Sequence, residues 1–266
     1  MIAAAAVVKQ QAPYESYDAD AVILFAAMAV QPDATRKQLI SDTITAGKAH
    51  GWWAQSDEIW FPAAHTEQAG TLGWKRVRDC TVVNGALHTV DRGVVGAAGK
   101  YWNTNFVASA DGVNYVEYAG TILTYLRDDA QVAGYQMATS EGANNTGIAA
   151  RWSNGNVYGN MHDAGYAGAA IASSLGLTAA TRTGENASQV YRNGTLHDSP
   201  NTASAAGVPG IAMLIGGMND DGVLNNVDTR QVAFAGVFGP LDATKHVNLF
   251  TDVEAYLDAI GAGVVA

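Results

Sequence analysis

Apolar residues in the N-terminal part of the chain follow helical spacing. Residues 19–30 are almost wholly apolar, which predicts a short buried helix. Pro32 and Asp33 open a second helix, because proline suits the first turn of a helix and aspartate can cap its free N–H groups. Gly51 ends that helix, and residues 53–61 predict a third. This part of the chain is therefore predicted to be helical.

From Cys80 onward the spacing changes to short apolar or alternating runs that are typical of strands. Asn-Gly pairs at 84–85, 154–155 and 193–194 accept the positive φ angles of two-residue hairpin turns. Gly-rich turns and the absence of long helices between the runs favour an antiparallel two-sheet sandwich over a parallel βαβ fold. Eleven strands are predicted, at residues 81–83, 87–90, 101–107, 121–126, 134–139, 147–152, 156–161, 177–183, 188–192, 211–215 and 231–238.

Helical spacing returns over residues 242–260, where apolar side chains share one face. We divide the chain into an N-terminal arm and helical anchor region at 1–78, a concanavalin-like β-sandwich at 79–241 and a C-terminal helix at 242–266. That helix is expected to pack on the anchor region or on a neighbouring subunit. Residues 1–8 are apolar but have no basic segment before them, so a flexible or partner-bound arm is favoured over a signal peptide.

Composition and charge narrow the range of partners. The 266 residues include 29 glycines and only 15% charged residues, which suits tight turns and packing against other subunits. The net charge of −10 disfavours nucleic acid, whose phosphates require a basic face. Cys80 is the only cysteine, so no disulfide is expected within the chain. No apolar run reaches the about 20 residues that a membrane-spanning helix needs.

Eight stretches carry a pattern that recurs in one group of proteins. They are residues 17–20, 33–37, 51–53, 91–96, 100–106, 190–196, 214–217 and 230–235. Taken in this order they resemble proteins of tailed phages and prophages, which have a helical lead-in followed by a concanavalin A-like (laminin-G-like) jelly roll. Such proteins are described as tail-fibre, receptor-binding or other virion structural components. Residues 97–99 depart from the Gly-Asp-Gly-Ser turn that is frequent in this group.

The resemblance implies a mainly β fold, an antiparallel two-sheet jelly-roll sandwich with an N-terminal helical segment and a C-terminal helix. It transfers no catalytic residue, and we predict that the chain is not an enzyme. Hydrolysis of a polysaccharide needs two carboxylates across a cleft, and no strand carries the alternating acidic residues that would supply them. A polysaccharide depolymerase of the glycoside hydrolase type is the alternative, and it requires carboxylates from distant segments to converge in a groove.

No cofactor is predicted from the sequence. No two of the six histidines lie three or four residues apart, the spacing that places two zinc ligands on one helix face. Calcium is considered because Asp220, Asp221 and Asp228 lie among asparagines in one loop, and calcium takes about six to eight oxygen ligands. We favour an Asn/Asp turn, whose side chains bond their own backbone.

Aromatic residues near polar loop residues are the candidates for binding a glycan, because ring faces stack on sugar C–H groups. The candidates are Trp102, Trp152, Tyr158 and Tyr166. For each one the competing interpretation is a core side chain, which is favoured because the sequence does not show exposure. A second aromatic cluster, within residues 52–60, is interpreted as the core of the helical region rather than a sugar platform.

We therefore interpret the chain as a structural or adhesive subunit of a bacteriophage virion, such as a tail-fibre, spike or decoration protein. Its expected partners are other virion proteins, sister chains in a homotrimer and a host surface polysaccharide, without nucleic acid and without a membrane span. It would be made in the bacterial cytoplasm and displayed on the particle surface. A third interpretation is a purely architectural capsid or tail protein that binds no ligand.

Overall fold

A computed structural model describes residues 16–163, 168–204 and 207–265. Two sequence predictions lie outside these ranges, the apolar arm at 1–8 and the candidate Tyr166. None of the helices in the described ranges combines the length and the apolar character that crossing a lipid bilayer requires.

The described part of the chain forms six helices and seventeen strands. The helices are α1 (Ala19–Ala27), α2 (Ala34–Ala49), α3 (Trp52–Gln55), α4 (Glu67–Thr71), α5 (Ala108–Asp111) and α6 (Ala243–Ala259). The strands are β1 (Ser56–Trp60), β2 (Thr81–Val83), β3 (Leu87–Thr89), β4 (Gly93–Val95), β5 (Tyr101–Val107), β6 (Gly120–Leu126), β7 (Met137–Glu141), β8 (Asn144–Ala149), β9 (Asn156–Asp163), β10 (Ala169–Ala170), β11 (Gly176–Gly184), β12 (Ala187–Arg192), β13 (Thr195–Asp198), β14 (Ala212–Ile215), β15 (Met218–Asp220), β16 (Val223–Asn225) and β17 (Gln231–Phe238).

The strands form two sheets that face each other. Sheet A has the strand order β13-β12-β11-β6-β17-β4-β3, and β1 also pairs with β17. Sheet B has the order β10-β9-β8-β7-β14-β5-β2, and the β15–β16 hairpin joins it at β7. Among the described strands the pairing is antiparallel, except where β15 runs parallel to β7. The prediction of a mainly β, antiparallel two-sheet sandwich is confirmed.

Alternate side chains of the strands meet between the two sheets. In β5 every second residue is buried, and Trp102 and Phe106 point inward. Met137 and Ile148 of sheet B contribute to the same core, as does Ile122 of sheet A. This alternation follows from the two-residue period of a strand, which turns successive side chains to opposite faces.

The outer face of sheet A carries a second core beneath a layer of helices. Leu123, Tyr125 and Phe234 of the sheet pack in one cluster with Leu249 of α6. The Tyr125 hydroxyl donates to Glu254 Oε1 at 2.9 Å, which fixes α6 to the sheet. Helix α6 also lies against α2. The molecule therefore has three layers: helices, sheet A and sheet B.

The predicted helix over residues 53–61 is wrong. Helix α3 covers only four residues, and β1 follows it and pairs along its length with β17. All five residues of β1 are buried. The Asp57 carboxylate accepts hydrogen bonds from the backbone N–H groups of Val113, Asn114 and Tyr115 at 2.9–3.0 Å. Pairing with β17, together with the hydrogen bonds from residues 113–115 to Asp57, stabilises a strand here more than the local sequence spacing stabilises a helix.

The three Asn-Gly pairs do not all form hairpins. Asn193 and Gly194 both have positive φ angles and join the paired strands β12 and β13, as predicted. The pair at 154–155 joins the paired strands β8 and β9. Asn84 and Gly85 also have positive φ angles, but β2 pairs with β5 of sheet B and β3 with β4 of sheet A. This turn therefore links the two sheets.

Candidate functional site

Strand β9 presents its side chains alternately to the core and to the outer face of sheet B. A Cβ atom at Gly159 would lie 2.9 Å from the Val190 side chain of sheet A, so this residue faces the core. Tyr158 and Asn160 therefore project from the outer face, which the helices do not cover, opposite small residues of β8.

Three partly exposed aromatic rings meet on this outer face. The ring centroids of Trp152 and Tyr135 lie 5.5 Å apart at an interplanar angle of 59°, and those of Trp152 and Tyr158 lie 5.9 Å apart at 67°. The tilted rings line a notch of ≈ 230 Å³, here named the aromatic cleft. Trp152 and Tyr158 were both candidates from the sequence, and the fold brings them together.

The β8–β9 turn holds Trp152 in place. The Trp152 backbone N–H donates to the Asn156 carbonyl at 2.7 Å, and the Gly155 N–H donates to the Trp152 carbonyl at 2.9 Å. Gly155 has a φ of 81°, which favours glycine there. The Asn154 side chain accepts from the Asn156 N–H at 3.0 Å and donates to the Tyr158 hydroxyl at 2.8 Å. The turn residues thereby connect two walls of the cleft.

Tyr135 is positioned by a glycine beneath its ring. A Cβ atom at Gly147 would lie 2.8 Å from Tyr135 Cδ1, so a side chain there would displace the ring. The Asn160 amide donates to the Tyr135 hydroxyl at 3.3 Å. A tyrosine hydroxyl is protonated at neutral pH, and burial raises the pKa of Tyr135 further, so this hydroxyl can donate a hydrogen bond.

The aromatic cleft has the chemistry of a binding site. Its volume is below the about 300–1,000 Å³ of pockets for drug-sized ligands, so it suits a single sugar ring. The rings offer faces for sugar C–H groups, and Tyr135 and Asn154 offer polar atoms for hydroxyls. Among the described residues, the side chains that line the cleft carry no carboxylate, whereas glycosidic hydrolysis commonly needs two.

The other aromatic candidates lie elsewhere. Trp102 has no exposed surface and lies in the core between the sheets, so a surface glycan does not reach it. Tyr166 lies outside the described residues. Trp52, Trp53 and Trp60 are buried, in agreement with their interpretation as core.

The three aspartates considered for calcium do not converge. Asp228 is buried in an ion pair with Arg230, at 2.5 Å between Oδ2 and Nη2. Asp220 accepts from the Asn225 amide, and Asp221 accepts from a backbone N–H. Within the ranges that the structure describes, no group of three or more His, Cys, Asp or Glu residues could hold a metal ion.

Among solved structures, sialidases have folds similar to that of this chain. A Trypanosoma rangeli sialidase in complex with sialic acid matches 86% of this chain with a TM-score of 0.52 and 17% identity. A mutant of that sialidase displaying trans-sialidase activity matches 87% with a TM-score of 0.52 and 16% identity. The match covers 40% of each sialidase chain, so this chain spans less than half of their length.

A third match is with domain 4 of an extracellular arabinanase from Geobacillus stearothermophilus, in complex with arabinotriose. It covers 72% of this chain and 98% of that domain at 11% identity, but its TM-score of 0.44 carries no argument. No protein-family model matches the sequence, and no curated protein matches it. The likeness to the sialidases shows a shared fold. The chain is a two-sheet β-sandwich protein whose fold is shared with part of these sialidase chains.

The prediction that the chain is not an enzyme is wrong. It was based on the absence of catalytic motifs in the sequence. The structures with this fold include sialidases, which are glycoside hydrolases. Because catalytic groups can come from segments far apart in sequence, the lack of a local acidic motif does not exclude enzyme activity.

Proposed function

We propose that this chain is a glycan-binding protein that holds a sugar ring of a surface polysaccharide in the aromatic cleft. The observation that carries the proposal is the notch formed by Tyr135, Trp152 and Tyr158 on the outer face of sheet B. Aromatic faces with a few polar groups are the usual composition of small-ligand sites. A sialidase that shares this fold over 40% of its chain is in complex with sialic acid, which supports a carbohydrate ligand.

A single cleft of this size binds weakly. A sugar ring has about 12 non-hydrogen atoms, and at about −0.3 kcal/mol for each the binding free energy is about −4 kcal/mol. This corresponds to a Kd on the order of 1 mM. Several copies displayed together would raise the apparent affinity by about 10²–10⁴ through avidity. The proposal therefore favours a multimeric display.

The test is a glycan array with the purified protein, followed by titration calorimetry with the best ligand. Trp152→Ala removes the ring shared by both aromatic contacts, and we expect at least a tenfold loss of affinity. Tyr118→Ala is the matched control, because Tyr118 is an exposed aromatic residue outside the cleft. Equal affinity of the two variants, with both folded as judged by thermal melting, would contradict the proposal.

We also propose that the protein is a virion subunit of a tailed phage, made in the bacterial cytoplasm and displayed as a homotrimer beside other virion proteins. The resemblance of the eight sequence stretches to such proteins supports this, as does the low proportion of charged residues. Mass spectrometry of purified particles should detect the chain. Light scattering that shows a stable monomer at micromolar concentration would contradict the trimer.

A further inference from the structure

A second cleft lies at the edge of the sandwich, where the segment before β11 meets the end of β12. Its volume is ≈ 380 Å³, and its apolar walls include Ile171, Leu175 and Val264. Arg192 lines it, and the exposed His197 lies at its margin. We name it the Arg192 cleft.

The Arg192 guanidinium has only neutral partners. Nη2 donates to the Leu175 carbonyl at 2.6 Å and to the Ser173 carbonyl at 3.3 Å, and Nη1 donates to the Thr178 hydroxyl. A guanidinium has five N–H donors. Three are used, so two, including the Nε–H, have no partner within the described ranges. Arg192 therefore has donors left for a ligand.

Two fully buried arginines form the ion pairs that the partly exposed Arg192 lacks. Arg182 lies 3.7 Å from Asp163, and Arg230 lies 2.5 Å from Asp228. Arg192 has no such ion pair in the part of the chain that the structure describes. Burial lowers the pKa of Arg192 to about 10. The negative charge of the nearby Asp129 raises this pKa and the positive charge of Arg230 lowers it. Among the described residues Asp129 acts on Arg192 only at a distance, and no carboxylate is bonded to the guanidinium, so an anionic ligand would gain from a direct charge-assisted hydrogen bond there.

The two clefts share one segment of the chain. The Ile171 N–H donates to the carbonyl of Gly155, which belongs to the turn that holds Trp152. A Cβ atom at Gly168 would lie 2.9 Å from the Tyr158 ring, so the start of this segment lies against the aromatic cleft. Residues 168–173 therefore connect the two clefts along one edge of the molecule.

We propose that the Arg192 cleft binds the carboxylate of an acidic sugar, so that the two clefts together select a carboxylate-bearing polysaccharide. This inference rests on the proposed glycan-binding function and adds the class of the ligand. The guanidinium fork matches the two carboxylate oxygens. The net charge of −10 opposes a polyanion at long range, so selectivity has to come from this direct contact.

The experiment measures binding of polygalacturonate, hyaluronan and polysialate, each beside its own carboxyl-reduced form, which has the same backbone without charge. We expect the wild-type protein to bind at least one acidic polymer about tenfold more tightly than its reduced form. Arg192→Gln should reduce that ratio to about one while leaving affinity for the reduced form unchanged. Arg78→Gln changes the net charge equally but lies at an ion pair with Asp111, so it is the matched control.

The outcomes separate this inference from the proposed function. If wild-type protein binds acidic and reduced polymers equally, and Trp152→Ala weakens both, the carboxylate site is refuted while glycan binding stands. If no polymer on the panel or on the glycan array binds, both proposals fail. The comparison within the wild-type protein needs no variant, so a folding defect in Arg192→Gln does not affect it.

Discussion

Gly147 supports the aromatic cleft from below without lining it, which makes it a sharp test of how the cleft is built. A Cβ atom at this position would lie 2.7 Å from the Ala138 Cβ and 2.8 Å from Tyr135 Cδ1. Ala138 is the residue paired with Gly147 across β7 and β8. Paired residues in antiparallel sheets normally keep their Cβ atoms about 4.5–5.5 Å apart. Gly147→Ala therefore forces the strands or the Tyr135 ring to move.

Overpacking of this kind costs about 1–3 kcal/mol. For a chain of this size each kcal/mol lowers Tm by roughly 2–4 °C. The Ala138 methyl group is fixed to the backbone, so the strands must shift to relieve that contact, and the Tyr135 ring must move to relieve the other. A loss of about 1 kcal/mol of ligand contact would weaken glycan binding about fivefold.

Thermal melting and titration with the array-selected glycan measure the two effects of Gly147→Ala. Gly184→Ala is the control, because a Cβ there would lie 3.6 Å from the Ala187 Cβ, an ordinary contact, and no other near contact arises. We expect the control to keep both Tm and affinity. Unchanged Tm and affinity in Gly147→Ala would refute the account of how Tyr135 is positioned.

Two further predictions concern stability. Burial lowers the pKa of His162 to about 4 and that of His246 to about 3, so between pH 6.5 and 4 the unfolded chain binds more protons and stability falls as the pH falls. Acidification from pH 7 to pH 4 therefore lowers the stability by about 3 kcal/mol for each histidine. Glu58, whose pKa burial raises to about 6, partly offsets this loss, and thermal melts across the range measure the net effect. Asp228→Asn leaves Arg230 buried without its charge partner, and urea unfolding should show a loss of about 3–5 kcal/mol.

Each stability prediction has a control. His246→Phe can keep a ring stacked on Tyr191 but cannot titrate, so it should remove about half of the loss of stability that the two histidines produce on acidification. Asp220→Asn, in the partly exposed β15–β16 hairpin, should have little effect beside Asp228→Asn. Equal stability at pH 7 and pH 4 would contradict the inferred effect of burying the histidines. Equal losses of stability in the two asparagine variants would contradict the inferred importance of the buried Asp228–Arg230 ion pair.

The sequence predicted strands correctly where the apolar residues follow a regular pattern and the strand pairs with its neighbours over most of its length. The predicted ranges 101–107 and 231–238 match β5 and β17, because both strands pair over most of their length in the core sheets. The β15–β16 hairpin was missed. Its turn, Asp221-Gly222, has two positive φ angles and is a hairpin dipeptide, but its oxygen donors led to an interpretation as a loop.

The candidate site was predictable only in part. Trp152 and Trp102 look alike in the sequence, yet one lies in a turn on the outer face and the other in the core of β5. Tyr135 was missed because it comes from the segment before β7, which meets the β8–β9 turn only through sheet pairing. Nothing in the sequence pointed to Arg192, because its lack of an ion pair among the described residues is a property of the fold.

Strand β17 holds the two parts of sheet A together. It pairs with β6 on one side and with β4 and β1 on the other, so without it the sheet separates into two pieces with open edges. On the ribosome, most of the sandwich would be synthesised before β17 emerges. Strand edges that are exposed until then can pair with those of other nascent chains. Completion of the fold must therefore follow synthesis of Gln231–Phe238, and fragments that stop earlier should be recovered as aggregates.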